Sequence, residues 1–131
     1  MDDDAKVLAG ARSPGGGWRA EADPLRRLTM QRPTLPEIGN TTLVAILTNC
    51  RLSKVDANRV AQRGHDGLAR AIRPVHTMFD GDVVFALSGG TIEQPLDVVA
   101  ELGAAAAASA IRSAVRQATS VHAVPALGSQ A

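Results

Sequence analysis

The sequence is poor in the residues that fill a core. Among 131 residues there are one Trp, two Phe and no Tyr. Hydrophobic residues make up 45% of the chain, but much of that share is alanine. Alanine buries little area, and at roughly 25 cal/mol per Å² a small core of this kind is weak. The chain is therefore expected to complete its core against something else. A single cysteine, Cys50, excludes an internal disulfide. At the end of an apolar strand it reads as a buried, inert thiol. An excess of charge is missing too. Lys and Arg number 14 against 13 Asp and Glu, a net charge of +1. That balance gives no reason to expect nucleic acid or an anionic membrane as a partner. The start, "MDDDAKVLAGAR", is acidic and carries no apolar signal-peptide region. The apolar stretches read as too short or too interrupted to span a bilayer. One domain at most, soluble and cytoplasmic, is the default expectation.

What is present falls into two parts, residues 1–40 and 41–131. The first holds Pro14, Pro24, Pro33 and Pro36 among glycines and basic residues, without a long period. Val7-Leu8-Ala9 reads as a short strand, "SPGGG" as a turn, residues 19–32 as one irregular helix, and Pro33 to Gly39 as an extended connector. From Thr41 the pattern is firmer. Thr42 to Thr48 is a continuous apolar run and predicts a strand buried on both faces. Ser53 is a good N-cap, with Asp56 at the capping-box position. Ala57, Val60, Ala61, Gly64, Leu68, Ala71 and Ile72 then lie on one helical face. "VVFALS" predicts a second buried strand, "GGTIEQP" a turn, and Asp97 to Ala118 an alanine-rich helix whose small residues suit close packing. The tail after Ser120 reads as frayed. The order is strand, helix, strand, helix. Two strands make no independent sheet of useful size, so pairing with strands from elsewhere, or with the N-terminal segment, is expected.

Two motifs can carry chemistry. In "GNTT", the Thr41 hydroxyl can attack the Asn40 carbonyl. An N→O acyl shift makes an ester, and hydrolysis frees Thr41 as a new N-terminus. Its α-amine, with a reference pKa near ~7.7–8.0, is then a general base beside its own hydroxyl. The plain alternative is a turn ahead of a strand, with Thr chosen for β-propensity. In "HTMFDGD", Asp80 and Asp82 can orient a protonated amine. They can also join His76 around a divalent cation, or simply form an Asp-Gly turn. No His/Cys cluster has ligand spacing. His65 reads as a surface or packing residue in mid-helix, His122 lies in the tail, and His76 is placed to hydrogen-bond the loop.

Taken together, "GNTTLVAILTNCRLSK" and the "HTMFDGDVVFAL" that follows resemble the L-aminopeptidase/D-esterase family of N-terminal-nucleophile hydrolases. That family includes the β-peptidyl aminopeptidases and the nylon-oligomer hydrolase. The resemblance runs from about Lys6 to about Ala118, with "KVLAGARSPGGGW" similar to the segment that leads to the family's linker. It implies a precursor that cuts itself between Asn40 and Thr41 into α and β chains. Thr41 would be the nucleophile, with Asp80 and Asp82 supporting its amine and hydroxyl. The fold implied is a four-layer αββα sandwich, often oligomeric. The reaction implied is hydrolysis of a peptide or other amide through an ester, with no metal or cofactor. The family's α chain is far longer than the 40 residues before Thr41, and its active-site lysine and asparagine have no counterpart here. The chain thus reads as the β portion plus the end of α, needing a missing α-chain-like segment as partner. The other expectation is a catalytically inactive remnant or assembly subunit of such an enzyme.

Overall fold

The computed structural model describes residues 1, 2, 4, 6–22, 41–78, 80–122 and 124–127. Its elements are α1 (Arg19–Ala22), β1 (Leu43–Cys50), α2 (Lys54–Ala71), β2 (Val83–Ile92) and α3 (Leu96–Gln117). The class is α/β, in the expected strand-helix-strand-helix order. β1 and β2 form a parallel pair, in register from Leu43↔Val83 to Thr48↔Ser88. A parallel pair needs a crossover connection, and α2 provides it.

Local chemistry explains why each element starts where it does. The Asp56 backbone N–H donates to Ser53 Oγ at 3.1 Å, and that hydroxyl donates to Asp56 Oδ2 at 2.7 Å. One orphan N–H of α2 is thereby satisfied. α2 then buries Val60, Gly64, Gly67, Leu68 and Ala71. Four of these lie on the face the periodicity marks, and Gly67 extends it. α3 follows Pro95 and buries Val99, Ala100, Gly103, Ala104, Ala107 and Ala108. Small residues set the spacing between layers. A Cβ at Gly67 would collide with the Ala104 carbonyl of α3. One at Gly64 would come 2.6 Å from Val84 Cγ1 and 2.8 Å from Ile46 Cδ1. The core therefore forms where α2 and α3 cover one face of the sheet, around Ile46, Cys50, Val60, Leu68, Val84, Val99 and Ala100.

Several expectations need correction. The strands are not buried on both faces. Side chains alternate along β1 and β2, and Leu43, Leu47, Phe85 and Leu87 point away from the helices and are exposed. β2 does not end at Ser88 but continues to Ile92, so Gly89-Gly90-Thr91-Ile92 is strand rather than turn. The pairing shifts register there, between Thr48 and Cys50, and Gly90 lies so close to the Asn49 backbone that no side chain fits. α3 is long and apolar enough, by length and composition, to cross a membrane. Its small residues pack on α2 and β1 instead. Val7-Leu8-Ala9 is not a strand. The "SPGGG" turn is present: Arg12 and Trp18 bridge across it, and Gly16 and Gly17 take positive φ. Within the described part of the tail, Val121 and Val124 bridge and Ala126 N donates to Ser120 Oγ at 2.9 Å. The rest of the expected 19–32 helix, the connector to Gly39, and Asn40 lie outside the described residues.

Candidate active site

Because the strands are parallel, their N-terminal ends lie side by side. Thr41-Thr42 enters β1 there, and Asp80-Gly81-Asp82 enters β2. Asp82 joins the two. Its Oδ1 accepts the Thr42 backbone N–H at 3.0 Å, and the Val83 N–H donates back to the Thr42 carbonyl at 2.9 Å. A carboxylate thus extends the strand ladder by one bond. The Asp82 side chain is 7% exposed. Its second oxygen, Oδ2, is buried without completing a hydrogen bond, with His76 Nδ1 at 3.1 Å, an ion-pair distance. Gly81 lies against the threonine. A Cβ there would stand 3.0 Å from Thr41 Oγ1, so any side chain would press on the hydroxyl.

The two aspartates do different work. Asp80 Oδ2 accepts the Thr77 N–H at 2.9 Å and the Thr77 hydroxyl at 2.8 Å, and Asp80 N donates to the Thr77 carbonyl at 3.0 Å. Asp80 therefore closes the turn that delivers Gly81 and Asp82. Asp80 thus bonds within the loop at Thr77, and Asp82 bonds across to Thr42. The exposed Thr41, the Thr42 amide, Gly81 and Asp82 are brought together, while Asn40 is outside the described residues. His76 lies beside Asp82, and its ring lies 4.9 Å from that of His65 in α2, tilted by 57°. His122 is in the C-terminal turn with φ 53°. Among the described residues no three His, Cys, Asp or Glu side chains converge as metal ligands.

The sequence reading missed Thr77 and the contact of Gly81 with Thr41. Thr77 was legible in principle, because a hydroxyl three residues before an aspartate is a familiar turn pairing. An open depression of about 720 Å³ lies at the other end of the sheet, lined by Leu47, Thr48, Asn49, Leu87, Ser88 and Gly89. It belongs to the C-terminal ends of the strands, not to the threonines.

Parallel strands joined by a helix thus carry a threonine and a buried carboxylate at their shared N-terminal end. The sequence pattern of peptidase family S58 matches residues 10–126, and the chain belongs to that family. Over 65 residues, 50% of this chain, it is 45% identical to a 6-aminohexanoate-oligomer endohydrolase of Agromyces sp. (strain KY5R), of which that stretch is 18%. Over 101 residues, 66% of this chain, it is 41% identical to an uncharacterized aminopeptidase of Mycobacterium leprae, of which that stretch is 28%. The chain spans less than a third of the length of these curated relatives.

Proposed function

We propose that this chain is the nucleophile-bearing portion of a self-processing amide hydrolase. Thr41 Oγ1 attacks the Asn40 carbonyl carbon, the Asn40–Thr41 C–N bond breaks, and an ester forms. Water then splits the ester into the Asn40 carboxylate and a free Thr41 hydroxyl and α-amine. In turnover that amine takes the Thr41 hydroxyl proton as the oxygen attacks a substrate amide, and passes it to the leaving amine. A second water releases the acyl group. Asp82 fixes the nucleophile's strand through the Thr42 amide, and Asp80 holds the loop that carries Asp82. One observation carries this reading above the rest: in a chain of peptidase family S58, the Thr41 hydroxyl lies against Gly81, next to a buried carboxylate bonded to Thr42. The substrate class is a peptide or a small-molecule amide, in keeping with a relative named as an oligomer endohydrolase and another named as an aminopeptidase. The partner is an α-chain-like segment whose sheet packs on the bare apolar face and contributes the oxyanion donors such chemistry needs.

Intact mass measurement tests the reading. Wild type, alone or with the α-chain-like segment, yields fragments 1–40 and 41–131. Thr41→Ala stays whole, and Thr41→Ser still cuts. A wild-type chain that remains whole in both settings overturns it.

The exposed row of Leu43, Leu47, Phe85 and Leu87 also favours a second reading, a non-catalytic assembly subunit. It predicts homo-oligomers on size exclusion and no cleavage under any condition.

A further inference from the structure

His76 takes a left-handed backbone conformation, which is uncommon outside glycine but enriched in Asn, Asp and His. Its φ is 55°. That conformation turns the ring back between the start of β2 and the side of α2. Nδ1 lies 3.1 Å from Asp82 Oδ2, and Nε2 lies 3.3 Å from the His65 carbonyl oxygen. Both neighbours are oxygens, so the ring is set between the Asp82 carboxylate and the α2 backbone. The contacts form a continuous series: the α2 backbone, the His76 ring, the Asp82 carboxylate, the Thr42 amide, and then Thr41. Asp82 has a buried carboxylate with one oxygen committed to Thr42. A buried carboxylate needs a counterpart, or it turns towards water and abandons its other bonds.

We infer that His76 is a positioning residue for Thr41. It holds the Asp82 carboxylate in the rotamer that grips the Thr42 amide, and so fixes where the Thr41 hydroxyl sits. The consequence for chemistry rests on Thr41 being the nucleophile. The link from His76 to the Thr42 amide stands without it.

The test compares two substitutions that both tolerate positive φ, in the full chain. His76→Gly keeps the backbone and removes the ring. His76→Asn keeps the backbone and places an amide N–H where Nδ1 stood. The first readout is hydrogen exchange at the Thr42 amide, with the Val60 amide of the core as the folding control. His76→Gly speeds exchange at Thr42 alone, and His76→Asn restores protection. The second readout is the rate at which fragment 41–131 appears. It falls roughly tenfold to a hundredfold in His76→Gly, the scale expected of a small misplacement of a reacting group, and recovers in His76→Asn. Unchanged Thr42 exchange in His76→Gly overturns the inference, as does an Asn variant no better than Gly. If wild type does not cut at all, the reading of Thr41 as nucleophile fails, and the exchange experiment alone decides the role of His76.

Discussion

The two faces of the β1–β2 sheet are nearly equal in composition and opposite in environment. Ile46, Cys50 and Val84 lie under α2 and α3, with Ile46 at 7% exposure. Leu43, Leu47, Phe85 and Leu87 face outward, with Leu47 at 76% and Phe85 at 57%. Large apolar side chains gathered on one open face are costly in water and mark a surface meant to be covered. The difference teaches that this sequence carries apolar side chains for both faces of the sheet, while the described helices cover only one. The continuous run "LVAIL" follows directly, because a strand with apolar residues on both faces cannot alternate with polar ones.

The contrast between faces can be broken most severely from the covered side. Leu68 is fully buried, so Leu68→Ala is expected to lose about 3–5 kcal/mol, read from the denaturant midpoint. Gly67→Ala comes next. The added methyl meets the Ala104 carbonyl, which is backbone and cannot swing aside. Overpacking there costs about 1–3 kcal/mol, partly offset by the better helix propensity of alanine. The bare face sharpens the comparison by its silence. Leu47→Ala or Phe85→Ala should move the stability of this chain by less than about 0.5 kcal/mol. The same substitutions should weaken capture of an α-chain-like segment, measured by co-elution, if that segment covers this face.

The smallest effect concerns the outer seam of the covered side. Glu101 of α3 accepts from Arg70 of α2 at 2.8 Å and from Arg63 at 3.0 Å. The hydrogen bond from Arg70, and then that guanidinium's charge, hold the Glu101 carboxyl below its ordinary value of 4.5. A carboxyl lowered in the folded state stabilises fully above its ordinary value, and that contribution fades as pH falls through the folded value. Stability measured at about pH 6 and about pH 3 should therefore differ slightly less in Glu101→Gln than in wild type, since surface ion pairs contribute little.

Much of this fold is legible residue by residue. Ser53 announces the start of α2, Pro95 that of α3, and the spacing from Val60 to Ala71 marks the buried stripe. The failures have physical causes. Gly89-Gly90 reads as a turn because glycine is the usual turn residue, yet here Gly90 is required by the approach of the Asn49 backbone. An apolar run cannot reveal which of its faces the chain itself will cover. In the candidate site, Thr41, Asp80 and Asp82 are readable as residue types in a recurring pattern. Their division of labour is not, because it depends on the Thr77 turn and on the register that sets Thr42 beside Asp82. His76 is readable as a neighbour of the Asp pair, but its reach to the His65 carbonyl of α2 is not, since no sequence pattern sets that contact.

The hydrogen bond from Thr42 to Asp82 joins residues 40 positions apart, with the whole of α2 between them. It also imposes an order in time. Closing so long a loop is entropically unfavourable until crossover and sheet are in place, so the bond is among the late events of folding. A nascent chain that has released only β1 has a threonine but no aspartate to hold it. The placing of Thr42 beside Asp82 therefore waits on completion of the β1–α2–β2 unit. A threonine like many others in an unfolded chain gains a fixed aspartate neighbour only in the folded one.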